Sequence, residues 1–146
     1  DAVLILAGRD STSAFVRNMV VQHGGGAIEL RGWVKNVGDF YNSISLLVQP
    51  SVSEGFGLEI LEAMAHGRPV LCSTGAGAAD VVPLGPELSQ WKFTAGNADE
   101  LADAIHHCKQ RTDFEAVGTI MRQEAEKYTW DCVRGQYIKV WQELLA

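Results

Sequence analysis

Short apolar runs alternate along the chain with stretches whose apolar positions recur every three or four residues. Ala2–Gly8, Ile28–Val34, Ile44–Gln49, Pro69–Ser73 and Trp91–Thr94 read as strands, the first as a buried one with no lead-in. Between them, Ser11–Gln22 reads as a helix capped by Ser11 or Ser13 and ended by Gly24-Gly25-Gly26. Val37–Ser43 reads as a short helix carrying Phe40 and Tyr41. Leu58–His66 reads as a helix with Leu58, Leu61 and Ala65 on one face. Asn97 caps a helix over Ala98–Gln110, with Glu100 at the third position of a capping box. Phe114–Tyr128 and Trp130–Leu145 follow as helices. In the last, Trp130, Val133, Tyr137, Trp141 and Leu144 form one aromatic-rich face, the pattern of a core stripe.

Strands that are continuous apolar runs, with helices between them, predict an α/β fold: a doubly wound parallel sheet covered by helices on both faces. At 146 residues the chain is expected to form one domain. Val82–Pro86 is the segment expected to be irregular.

Composition narrows the function. The chain is 47% apolar and 21% charged with a formal net charge of −6, and its basic residues are scattered. That excludes a nucleic-acid surface, and any bound phosphate must be held locally, by backbone amides or a few cations. Cys72, Cys108 and Cys132 form no CxxC pair. No zinc site or disulfide framework is expected, and the setting reads as reducing and cytoplasmic. The longest apolar run, Ala2 to Ala7, is too short to span a bilayer, so no transmembrane segment is predicted. The chain enters its first strand directly from Asp1, which reads as a piece of a longer protein.

The chemistry concentrates in Ser51–Val70, where Glu54 and Glu62 stand eight positions apart around Gly55-Phe56-Gly57-Leu58. The loop joins the predicted strand Ile44–Gln49 to the predicted helix Leu58–His66. In a doubly wound sheet such loops form the ligand crevice. Glycines let backbone approach a ligand, and free amides at a helix start hold phosphate. Carboxylates accept hydrogen bonds from hydroxyls. Two of them gripping separate diols, with a phosphate between, describe a nucleotide sugar. Each glutamate alone reads equally as a surface residue favoured by the helix dipole.

This spacing, with Leu61-Glu62-Ala63-Met64-Ala65, Gly67 and Pro69-Val70, closely resembles the C-terminal, donor-binding domain of retaining GT-B glycosyltransferases of family four. Leu4–Gly8, Leu30–Val34, Tyr41 through Pro50-Ser51, Trp91–Ile105 and Tyr128-Thr129-Trp130 resemble that family's flanking elements. The resemblance implies a Rossmann-like half of a GT-B fold. It implies Glu54 as the catalytic-site residue that holds donor-sugar hydroxyls. The amides of Phe56, Gly57 and Leu58, beside Gly55, would contact sugar and diphosphate, and Glu62 would bind the ribose. Gly8 would end this chain's first strand, which matches a later strand of the family, at the donor site, and the backbone around Trp33 and Val34 would meet the base. The substrate would be a UDP-, GDP- or ADP-sugar, with no cofactor and no bound metal. The last helix of such enzymes can cross to the other domain, which would leave part of its stripe exposed here.

Departures from the family pattern carry expectations of their own. The family's opening strand-helix unit carries an Arg and a Lys that clasp the diphosphate. Gly8-Arg9 is followed by no Lys at the matching place, so that unit reads as missing. The N-terminal acceptor domain is also absent, and with it any peripheral membrane attachment it provides. Losing two charge-assisted contacts of about 1.5–3 kcal/mol each weakens donor binding by on the order of 10²–10⁴-fold. The chain alone is therefore expected to be inactive. The alternatives to an enzyme fragment are a stand-alone donor-binding subunit of a split enzyme, or a non-catalytic structural domain.

Other features read blandly. Ser73–Asp80 lacks the third glycine of a dinucleotide fingerprint and reads as a loop lining the crevice, with Asp80 where the family carries Glu. His66 fits the negative end of its helix. His106 and His107 point about 100° apart and do not share an ion.

Overall fold

The structure is a computed structural model that describes residues 2–24, 27–83 and 91–145. The chain divides into two compact units, residues 1–40 and 41–146. The expected turn at Gly25-Gly26, most of the expected loop Val82–Pro86, and Asp1 lie outside the described residues.

In the first unit β1 (Leu4–Ala7) and β2 (Ile28–Gly32) form a parallel pair, with Leu4 opposite Ile28 and Leu6 opposite Leu30. The register slips by one residue before Ala7 pairs with Gly32. Ser11 accounts for the tight join of the strand ends. Its hydroxyl donates to the Gly8 carbonyl at 2.9 Å and accepts from the Gly32 amide at 2.9 Å, while the Gly8 amide donates to the Gly32 carbonyl at 2.8 Å. Gly32 sits at φ +69°, which a residue with a Cβ rarely adopts. Of the two serines read as caps, Ser13 caps α1 (Ala14–His23) by accepting from the Val16 amide, and Ser11 clips the strands. A 3₁₀ turn over Arg9–Thr12 lies between. The first strand is not buried, since Val3 and Leu4 are exposed.

Asn36 opens α2 (Val37–Ser43) by accepting from the Asp39 amide at 3.2 Å. In the second unit β3 (Leu47–Gln49), β4 (Val70–Ser73) and β5 (Lys92–Phe93) form a parallel ladder with β4 in the middle. Every residue of β4 is buried. Helix α3 (Leu58–Ala65) is rich in strong helix formers and ends where Gly67 turns left-handed at φ +67°. It buries Ile60, Ala63 and Met64 completely, whereas Leu58 is 60% exposed. Full burial of Ile60 or Met64 contributes about 1.5–3 kcal/mol each. α4 (Ala98–Gln110) and α5 (Phe114–Ala125) follow, with a 3₁₀ turn over Glu126–Tyr128. α5 seats Met121 under β4, its sulfur 3.2 Å from the Val70 amide, and Trp91 meets Phe114 edge-on. The capping box at α4 is real but wired differently. Asn97 Oδ1 accepts from the Glu100 backbone amide at 3.1 Å, and the Glu100 carboxylate takes the Thr94 backbone amide at 2.7 Å and the Asn97 side-chain amide at 2.8 Å instead of the Asn97 backbone amide.

The parallel α/β architecture is thus as expected, with its strands in two ladders, β1–β2 and β3–β4–β5. The aromatic stripe departs from the core pattern and follows the exposure that the family resemblance implies. No residue of α6 (Trp130–Leu144) is buried, and Trp130, Tyr137 and Trp141 are all exposed. Helical periodicity identifies an apolar face, and it does not say that this chain covers that face. Among the described residues no helix is long and apolar enough to cross a membrane.

Candidate functional site

The loop that precedes α3 is held from beneath by backbone. Glu54 forms a parallel bridge with Ala76: its amide donates to the Gly75 carbonyl at 2.9 Å and its carbonyl accepts from the Gly77 amide at 3.2 Å. The Ala78 amide donates to the Phe56 carbonyl at 2.6 Å. Two glycines make this approach possible. A Cβ on Gly75 would lie 2.3 Å from the Val52 carbonyl oxygen, and one on Gly77 would lie 2.3 Å from that of Gly55. Ser73, fully buried, adds a hydroxyl hydrogen bond to the Ser51 carbonyl. The run Gly75-Ala76-Gly77-Ala78-Ala79 therefore acts as a cradle for the Glu54 loop.

On that cradle Glu54 is exposed, and its carboxylate reaches only as far as the Gly55 amide, 3.1 Å away. Gly57 is left-handed at φ +87° and stands at the N-cap of α3, where no side chain caps the helix. A glycine cap leaves the amides at the helix start without a built-in anion. Phe56 and Leu58 are exposed on either side. Gly55 and Phe56 complete the turn between Glu54 and the cap.

Glu62 lies one turn into α3. Its Oε2 accepts from the Tyr41 hydroxyl at 2.9 Å, and that hydroxyl also reaches the Glu59 carbonyl at 3.4 Å. Tyr41 is buried. Burial, and then the neighbouring Glu62 carboxylate, pushes its phenol well above the ordinary tyrosine range. The Tyr41 ring stacks against His66 at 5.3 Å between centroids, and His66 Nδ1 lies 2.8 Å from the Glu62 carbonyl. His66 thus caps the helix end as its position suggested. The sequence alone gave no sign that Tyr41 would reach Glu62, because the two are 21 positions apart.

The structure brings Glu54, Gly55, Phe56, Gly57, Leu58 and Glu62 together on one loop and the helix it opens. Gly8, Trp33 and Val34 belong to the first unit. There Gly8 closes β1, the Arg9 guanidinium lies 5.6 Å over the exposed Trp33 ring, and Val34 is half-buried. Among the described residues no three His, Cys, Asp or Glu side chains converge as metal ligands. His106 and His107 are exposed beside the buried Cys108, and Asp80 is exposed at the 3₁₀ turn Gly77–Val81.

Comparison with known proteins places the fold and the family. The chain is 35% identical over 92 residues to a sulfoquinovosyl transferase of Arabidopsis thaliana, covering 62% of this chain and 18% of that protein. It is 30% identical over 133 residues to an uncharacterized glycosyltransferase of Methanocaldococcus jannaschii, covering 88% of this chain and 37% of that one. The chain thus spans well under half the length of these relatives. Among solved structures, Anabaena HepE in complex with UDP and glucose superposes with a TM-score of 0.81 at 20% identity, over 97% of this chain and 40% of that one. The family described as glycosyl transferases group 1 matches residues 1–110, and the chain belongs to that family of glycosyltransferases.

Proposed function

We propose that this chain is the donor-binding half of a nucleotide-sugar-dependent, retaining glycosyltransferase that transfers a hexose-type sugar. The observation that carries the reading is the uncapped start of α3 at left-handed Gly57, flanked by two exposed carboxylates, Glu54 before it and Glu62 one turn after. The amides of Phe56, Gly57 and Leu58 hold the diphosphate, where the helix dipole adds a favourable field. Glu62 accepts from the ribose hydroxyls. Glu54, on the rigid cradle, accepts from hydroxyls of the sugar beside the reacting carbon. Diphosphate charge is met by amides, in keeping with a metal-independent mechanism. The fold shared with a protein that holds UDP and glucose supports the same reading.

The longer protein supplies the acceptor site and the two cations that complete the diphosphate grip. Residues 1–146 alone bind donor weakly and do not turn it over. The test is a thermal-shift panel with UDP, GDP and ADP, using Glu62→Ala as the control. A ligand at 100 times its Kd stabilises by about 2.7 kcal/mol, or several degrees for a chain of this size. A shift lost in Glu62→Ala supports the reading. An equal shift in Glu62→Ala overturns it.

A further inference from the structure

We propose that Tyr41 is a positioning residue for Glu62, holding its carboxylate in the conformation that receives the ribose. The inference rests on the reading of Glu62 given above and adds a residue to it. A glutamate on an exposed helix face is ordinarily free to sample several rotamers, and a ligand must immobilise it on binding. Glu62 is not free in that way. A hydroxyl donates to Oε2 at 2.9 Å, within the ordinary range of an O–H···O hydrogen bond.

The donor is itself fixed. Tyr41 is 4% exposed, and its ring is clamped against His66, which in turn engages the Glu62 carbonyl. Tyrosine has only two side-chain torsions, so burying its ring leaves the hydroxyl few other places. Its second contact, to the Glu59 carbonyl at 3.4 Å, keeps the oxygen against α3. The anchor also leaves Glu62 able to work. An ionised carboxylate offers about four acceptor sites; Tyr41 takes one, and the rest remain for two vicinal hydroxyls. The buried phenol thus stabilises one rotamer of an exposed acceptor without occupying it.

A merely structural tyrosine would weaken every ligand equally when altered. A positioning tyrosine changes how well the site tells a ribose from a ribose lacking a hydroxyl. The experiment titrates the chain with UDP and with 2′-deoxy-UDP, followed by amide chemical shifts, in wild type, Tyr41→Phe and Glu62→Ala. The ratio of the two dissociation constants does not depend on the folded fraction, because unfolded molecules bind neither. We expect wild type to prefer UDP by about tenfold or more, the worth of one charge-assisted hydrogen bond. Tyr41→Phe should cut that ratio about three- to fivefold, and Glu62→Ala should bring it near one.

If Glu62→Ala collapses the ratio and Tyr41→Phe leaves it as in wild type, Tyr41 has no positioning role and the reading of Glu62 stands. If Glu62→Ala keeps the ratio, the functional reading falls and this inference with it.

Discussion

Gly77→Ala tests the cradle beneath the Glu54 loop. The new Cβ would sit 2.3 Å from the Gly55 carbonyl oxygen and 3.2 Å from the Gly55 carbon and the Phe56 Cα, where ordinary contact begins at 3.4 Å. The obstacle is backbone on both sides, so the loops must part by about 1 Å. Parting them strains the Gly77 amide bond to Glu54 and the Ala78 amide bond to Phe56. Overpacking of this kind costs about 1–3 kcal/mol, and each weakened hydrogen bond about 0.5–1.5 kcal/mol. The reduced freedom of the unfolded chain returns about 0.4–1 kcal/mol. The net destabilisation is about 2–4 kcal/mol, which lowers Tm by roughly 5–15 °C for a chain of this size. Gly55→Ala is the matched control. It lies on the same loop, but a Cβ there meets nothing within 4 Å, and the expected change in Tm is about 1 °C or less. The assay is thermal unfolding followed by circular dichroism. A Gly77→Ala melt within about 2 °C of wild type would show that the loops are not locked together, and the account of how Glu54 is positioned would fail.

Three further outcomes follow from the fold. Trp141→Ala, at a position 60% exposed on α6, should change Tm by no more than about 1–2 °C; a large loss would mean that the stripe is core after all. Burial pushes the Cys72 thiol up to about 11 and raises that of Cys108. A maleimide at neutral pH should therefore label the exposed Cys132 and spare the other two until the chain unfolds. Glu100 is held below its ordinary range, chiefly by the Thr94 amide. Its contribution is present above the ordinary carboxylate value and is lost as pH falls through the lower folded value. The Tm gap between wild type and Glu100→Gln should therefore be open at pH 6 and shrink towards pH 3, and a gap independent of pH would refute the assignment.

The parts of this protein that the sequence made legible are those governed by local rules. Asn97, Ser13 and Gly67 end helices by capping and left-handed turns, and α2 and α4 fall at the expected residues. The motif around Glu54 and Glu62 was legible because its glycines and carboxylates sit at fixed spacing on one loop and helix. What stayed hidden depends on contacts distant in sequence. The face of α3 with Leu58, Leu61 and Ala65 was visible, but burial goes to Ile60, Ala63 and Met64, because β4 and α5 lie on that side. Periodicity cannot rank two adjacent apolar faces. The Tyr41 bond to Glu62 and the loop-on-loop approach at Gly75 and Gly77 likewise join segments that no local pattern links. The exposure of Val3, Leu4 and the α6 stripe reflects surfaces this chain does not itself cover.

The most direct test of the central claim is a crystal structure of the chain soaked with UDP-glucose at high concentration. The account predicts the diphosphate on the amides at the start of α3, the ribose hydroxyls on the Glu62 carboxylate, and the sugar hydroxyls beside Glu54. A nucleotide bound elsewhere, with the Glu54 loop and Glu62 in contact only with solvent, would contradict it.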